Sequence, residues 1–199
     1  MSPGIRSKLR DLSNTICIYN FPDYVNTALY LHSHYRAAHH TPSLALDSSV
    51  SVHMSLNCDT IIATSNASDN SAQLSNKATQ CAQFYAYIGR IDNSCPYKDG
   101  AGENMYYAWN SAITPSADTA VKGAMKSWYK KPFSQFDFAN PSFSGATATM
   151  TQVLWRSSSR IGIGVFQDVR SLKTYVVALY SPAGNIIGPG EFQRNVFAL

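Results

Sequence analysis

The last third of the chain restricts the fold more than any other stretch. Ile161–Gln167 and Thr174–Tyr180 are short runs rich in Val, Ile, Thr and aromatic residues, and Met150–Trp155 reads the same way. Asp168–Lys173 joins the later two as a polar hairpin loop, and Pro182-Ala183-Gly184-Asn185 forms a turn cluster behind the final run. An antiparallel sheet is therefore expected here, after a region of different character.

That earlier region has helical period. From Phe21, the residues Val25, Ala28, Leu29, His32, Tyr35, Arg36 and His39 recur at three- and four-residue steps, until Thr41-Pro42 forces the backbone out of the α region. Leu74, Ala78, Cys81, Ala82, Tyr85 and Ile88 make a second amphipathic stripe, closed by Gly89. A third helix is expected with Thr114 as N-cap, Pro115 at its first position and Asp118 facing the positive end of the dipole. Its stripe is Ala117, Ala120, Val121, Ala124, Met125 and Trp128, and Pro132 should stop it. Helices first and an antiparallel sheet later predict an α+β fold.

Composition sets outer limits. With 199 residues, 45% hydrophobic and only 14% charged, the chain is long enough for one sizeable core and too apolar for bulk disorder. A net charge of +4 without a basic stripe argues against nucleic acid and slightly favours anionic membranes. No apolar run approaches the ~18–20 residues that span a bilayer. The sequence around Arg6, Lys8, Arg10 and Ile16-Cys17-Ile18-Tyr19 lacks a secretory h-region, and Met1-Ser2 is not a myristoylation start, so an intracellular location is expected. A mis-assigned start would make the protein extracellular instead. Cys17, Cys58, Cys81 and Cys95 fit no CxxC metal pattern; a Cys58–Cys81 or Cys81–Cys95 bridge stays open, with free thiols the expectation.

Four segments in order resemble the signature blocks of the CAP superfamily, which includes cysteine-rich secretory proteins, venom allergens and plant pathogenesis-related proteins. They are His32-Ser33-His34-Tyr35-Arg36-Ala37-Ala38-His39 with Pro42 and Leu44; Gly102-Glu103-Asn104-Met105; Trp128-Tyr129; and Thr151-Gln152-Val153-Leu154-Trp155 followed by Gly162-Ile163-Gly164 and Tyr180-Ser181-Pro182-Ala183-Gly184-Asn185. The pattern is most similar to the Golgi-associated, intracellular branch. The resemblance implies an α–β–α sandwich with a central antiparallel sheet over residues 21–199, behind a weakly structured lead-in at 1–20. Secreted members carry cysteines where this chain has Ile163 and Ala178. Residues 48–72, which include the sequon Asn66-Ala67-Ser68, read as an inserted loop of about two dozen residues, tolerable because loop closure costs only ~0.6 kcal/mol per doubling.

Many members of the family line a cleft with two His and two Glu, and some bind zinc there, as those ligand types would. Carried over residue by residue, the four places fall on Asn93, Glu103, Lys131 and Thr149. Only Glu103 keeps the expected type, so the resemblance implies a degenerate site with no metal, no cofactor and no catalytic residue. Glu103 is expected to be a structural carboxylate, accepting backbone N–H bonds or pairing with Lys131. His32 and His39 are expected to be satisfied core residues. No G-x-S-x-G or Cys–His nucleophile signature occurs.

Phe133, Phe136, Phe138 and Phe143 crowd the segment around Asn140-Pro141. In several relatives the corresponding loop is implicated in binding sterol, and aromatic walls suit ligands of low polarity. The same rings equally suit core packing under a long loop. The expected function is a non-catalytic domain that binds a sterol or other lipid at membranes. A protein-interaction scaffold, homodimeric by analogy with the Golgi-associated branch, is the alternative, and a metal-dependent hydrolase the least favoured.

Overall fold

The computed structural model describes residues Pro22–Asp47 and Leu74–Leu199; the lead-in, the 48–72 insertion, Cys17 and Cys58 lie outside them. In chain order the elements are α1 (Asp23–Ala38), β1 (Ala45–Leu46), α2 (Leu74–Ile88), β2 (Gly102–Trp109), α3 (Ala117–Met125) and a π-helical stretch Lys126–Lys130. They continue with α4 (Lys131–Phe133), α5 (Ala148–Leu154), β3 (Arg160–Asp168), β4 (Lys173–Ser181) and α6 (Glu191–Asn195).

The sheet order is β1-β3-β4-β2. β2 and β3 both pair antiparallel with β4, while the two-residue β1 lies parallel on β3, so the central sheet is antiparallel with a short parallel edge. β4 is buried on both faces. Alternation along it sends Val176, Ala178 and Tyr180 into one core with α1, α3 and α5, and Tyr175, Val177 and Leu179 into a second core with α2. That division is the α–β–α sandwich.

On the α2 side, contact is close enough to exclude a methyl group. A Cβ on Gly164 would lie 2.1 Å from the carbonyl carbon of Ala78, and one on Gly162 2.1 Å from that of Leu74. Between these glycines, Ile163 pairs across strands with Ala178, both buried in the other core.

Opposite α2, α1 is fixed by Arg36, which is fully buried. Its guanidinium donates to the carbonyls of Pro42 (2.6 Å), Val153 (2.9 Å), Trp155 (3.0 Å) and Ser158 (2.9 Å). His32 and His39 are buried with both ring nitrogens occupied. His32 Nδ1–H donates to Ala28 O (2.7 Å) and Nε2 accepts from the Tyr180 hydroxyl (2.8 Å). His39 bonds the Phe197 carbonyl and accepts from the Tyr129 hydroxyl (2.8 Å).

Four expectations are corrected. Met150–Trp155 is not a strand but most of α5, where Met150 through Leu154 are all buried and packing overrides the β-prone composition. The N-cap of α3 is Ser116, whose hydroxyl accepts from Thr119 N–H (3.2 Å), not Thr114. Pro115 instead uses its carbonyl to accept from Gln167 Nε2 and Thr174 Oγ1, strapping the loop to β3 and β4. Pro132 does not end the helix, because the π-helical stretch already breaks the regular ladder and α4 restarts around it. The strand β2, which no β-run announced, forms from Gly102 to Trp109.

Two measurements check this account. Gly164→Ala should lower unfolding free energy by about 1–3 kcal/mol, because overpacking must push α2 off the sheet; a melting temperature equal to wild type would refute the contact. Desolvation also lowers the His32 pKa from 6.5 to about 4. The unfolded chain thus takes up a proton near pH 6.5, while the folded one does so only near 4. Stability is complete above the upper value and is lost as pH falls through the window, by on the order of 3 kcal/mol. Burial moves His39 the same way. A urea midpoint that stays flat from neutral pH to the lower limit would contradict both assignments.

Candidate functional site

Glu103 and Asn104 open β2, and strand alternation sends their side chains to opposite faces of the sheet. Asn104 Nδ2 donates to the Thr149 carbonyl (2.9 Å) and the Tyr180 hydroxyl (3.3 Å) on the side of the α1 core. Glu103 turns toward α2, where its side chain is only 1% exposed. The Tyr85 hydroxyl donates to its two carboxylate oxygens (3.1 and 3.0 Å) and Lys98 Nζ lies 3.4 Å from Oε2. Desolvation pushes the Glu103 carboxyl up from its ordinary range, and Tyr85 and Lys98 pull it partly back.

The ammonium of Lys98 also donates to Asn93 O and Oδ1, both at 2.6 Å. Asn93 presents these two oxygens together from a left-handed backbone (φ 62°), a conformation that Asn adopts more readily than most residues. Two of the four carried-over positions, Asn93 and Glu103, are thus joined through a lysine. Thr149 and Lys131 are not: Thr149 Oγ1 donates to the Trp128 carbonyl (3.1 Å), and Lys131 is exposed without an ion pair to any described residue. The expected Glu103–Lys131 pairing is replaced by Glu103–Lys98, and the acceptor bonds come from a hydroxyl rather than backbone N–H groups. Lys98 escaped sequence reasoning because a lone lysine in a polar loop carries no motif. Its one signal is its place midway between Asn93 and Glu103.

The free-thiol expectation is also corrected: Cys81 and Cys95 form a disulfide. Cys81 lies on the buried face of α2, and Cys95 N–H donates to the Tyr85 hydroxyl (3.1 Å) one helical turn on, which docks the loop beside it. Closing a loop of this length removes about 3 kcal/mol of unfolded-chain entropy. Tyr85 therefore holds the disulfide loop and the carboxylate at once.

The Phe-rich segment begins at the end of α4. Phe136 is buried, Phe133, Phe138 and Pro141 are half-buried, and Phe143 is 46% exposed. Phe138 stacks on His39 (centroids 5.5 Å apart, 21° between planes), while Phe133 meets His39 edge-on at 5.9 Å. Phe136 packs edge-on against Phe138 (4.9 Å), and Tyr129 continues the cluster to Tyr35. Phe143 stands apart, against Phe192 of α6 (6.3 Å). The span between α4 and α5 itself holds no helix or strand. Elsewhere on the surface, Gln80, Gln83, Phe84, Tyr87 and Tyr97 line an open groove on the outer face of α2.

Trp128, within the π-helical stretch, donates its indole N–H to the Met105 carbonyl on the outer edge of β2 (3.0 Å). Helical turns and sheet are thereby joined beside the site.

Known proteins place this architecture. The Golgi-associated plant pathogenesis-related protein 1 of Homo sapiens is 26% identical over 172 residues, covering 86% of this chain and 90% of its own. Protein PRY2 of Saccharomyces cerevisiae is 30% identical over 127 residues; that match takes in 63% of this chain and only 33% of the yeast protein. Among solved structures, NaASP2 with Zn2+ superposes with a TM-score of 0.58 at 18% identity, with 84% of each chain covered. MpPR-1i gives 0.52 at 17% identity, with 87% of this chain and 96% of that one covered. At such identities the structural likeness establishes the shared fold. The model of the cysteine-rich secretory protein family matches residues 29–180, and the chain belongs to that family, the CAP family.

Proposed function

We propose that this CAP domain is a non-catalytic module that binds a sterol or other lipid at a membrane through the segment 133–143. The observation that carries the reading is the ring cluster itself. Phe133, at the end of α4, and Phe138 pack against His39, Phe136 packs on Phe138, and Phe143 stands exposed farther along a span without helix or strand. An irregular aromatic segment can part to admit a flat apolar ligand at less cost than a helix or strand could. The net charge of +4 supports peripheral attachment to an anionic surface.

The chemistry at the carried-over positions supports a non-catalytic role and a degenerate metal site. No imidazole is present among the four residues, the one carboxylate already has an ammonium as counter-ion, and Asn93 spends both oxygens on that ammonium. A divalent cation would meet Lys98 first, at a distance where like charges repel strongly. For general acid–base work, the groups that Glu103 meets are a tyrosine hydroxyl and an ammonium, with no second carboxylate or imidazole bonded to it among the described residues. The disulfide favours an oxidising compartment over a reducing cytosol, which fits a luminal or extracellular face better than the intracellular expectation. Among the described residues no helix is long and apolar enough to cross a membrane.

The alternative, a protein-interaction scaffold, draws on the groove along α2, where Tyr87 is 91% exposed. Radiolabelled cholesterol retained by the purified protein through gel filtration separates the two readings. Wild type should retain sterol, and Phe143→Ser should lose about 1 kcal/mol, or about fivefold in affinity, with its melting temperature unchanged. Absence of sterol or fatty acid binding by wild type would reject the lipid reading in favour of the scaffold. For the metal, addition of Zn2+ to the oxidised protein should leave the melting temperature unmoved. A zinc-dependent rise would restore the hydrolase reading.

A further inference from the structure

We propose that Cys81 and Cys95, once reduced, form with Glu103 a binding site for a thiophilic divalent cation such as Zn2+, and that the disulfide is its closed state. This site shares only Glu103 with the four positions discussed above, and it does not depend on lipid binding.

The geometry is the first support. The two Sγ atoms and a carboxylate oxygen of Glu103 all lie within 4.8 Å of one another, the one group of three such ligands among the described residues. Zinc with Zn–S near 2.3 Å and Zn–O near 2.1 Å holds tetrahedral neighbours roughly 3.5–4 Å apart. Cleavage of the S–S bond lets the sulfurs separate to that spacing, and the oxygen needs only a small approach. The Cα atoms, 5.4 Å apart, sit on α2 and on a loop, so the loop can supply the adjustment.

Burial and support are the second. Cys81 and Cys95 are both buried, and the Glu103 side chain is almost fully so, so all three ligand groups are shielded from bulk water. Tyr85 donates to both carboxylate oxygens of Glu103 and accepts from Cys95 N–H, so one hydroxyl orients two of the three ligand-bearing residues. Outer hydrogen bonds of this kind are what tune a metal centre.

Charge is the third. Two thiolates, one carboxylate and a divalent cation carry one net negative charge. The Lys98 ammonium, 3.4 Å from Glu103, balances it. In the oxidised protein the sulfurs bear no charge and Lys98 neutralises Glu103 alone, so no cation is needed.

The redox step requires a reductant. A dithiol gives two electrons and two protons to the disulfide and itself becomes a disulfide, leaving Cys81 and Cys95 as thiols. Metal binding then releases both thiol protons. In vitro a trialkylphosphine does the same, ending as its oxide, with water supplying the oxygen and the two protons.

The experiment uses the full chain carrying Cys17→Ser and Cys58→Ser, so that other thiols do not contribute. Co2+ is titrated before and after phosphine reduction, with the phosphine removed anaerobically. The oxidised protein should show no thiolate-to-cobalt charge-transfer absorption. The reduced protein should show it, saturating at equimolar metal and bleached by Zn2+. Cys81→Ser should abolish the band, and Glu103→Gln should weaken cobalt binding by about tenfold. A folded, reduced protein without the band overturns the proposal, as does a band unchanged by either substitution. If reduction alone unfolds the chain, reduction with Zn2+ already present should preserve the helical circular dichroism. Unfolding in the presence of the metal would overturn the proposal equally.

Discussion

The buried guanidinium of Arg36 is the interaction on which the helical layer beside α1 depends. It carries a full charge in a dry place and has no carboxylate partner among the described residues. Four backbone carbonyls take that role, from the turn after α1, from the end of α5 and from the approach to β3. Desolvation lowers the Arg36 pKa to about 10, which still leaves it a cation at neutral pH. Each of those carbonyls would cost on the order of 1–3 kcal/mol if left buried and unpaired. The side chain therefore fixes three chain segments that share no regular hydrogen-bonded ladder. Lysine could not substitute, since its point charge cannot fork toward several carbonyls at fixed angles.

From that anchor the two faces of the sheet are built by different rules. Toward α1 and α3 the sheet offers full-sized side chains, and polar groups in that core are each paired: His32 with Tyr180, His39 with Tyr129, Asn104 with Thr149. Toward α2 the strand β3 offers glycines, so helix backbone there rests on strand backbone. Close approach on that side brings Tyr85 and Cys81 level with Glu103 and Cys95. The site is thus a product of the Gly162–Gly164 spacing as much as of the residues that form it.

Much of this was legible in the sequence, for identifiable reasons. The stripe of α2, the Gly89 stop, the β3–β4 hairpin and the buried state of His32 and His39 follow from periodicity and turn chemistry, which are local. The blocks around Arg36 and Glu103 were legible through family resemblance. What failed was decided over distance. Met150–Leu154 reads as strand by composition but becomes helix because every one of its residues is buried against other elements. Pro115 looked like a helix start because its partners on β3 and β4 lie far along the chain. The Cys81–Cys95 bridge and the Lys98 bond to Glu103 depend on how a loop docks against α2, and no spacing rule encodes that.

The indole bond at the edge of β2 has a consequence for assembly. β2 is an outer strand, and an outer strand normally exposes a row of free N–H and C=O groups to any passing chain. Here the indole of Trp128 occupies the Met105 carbonyl, and the opposite border of the sheet is the two-residue β1. β1 pairs only with Arg160 and Ile161, so Gly162–Asp168 of β3 have no strand partner on that side among the described residues. A strand added along β2 would have to displace that indole bond or bulge past Met105, an obstacle to strand-by-strand growth set by a residue of the helical layer.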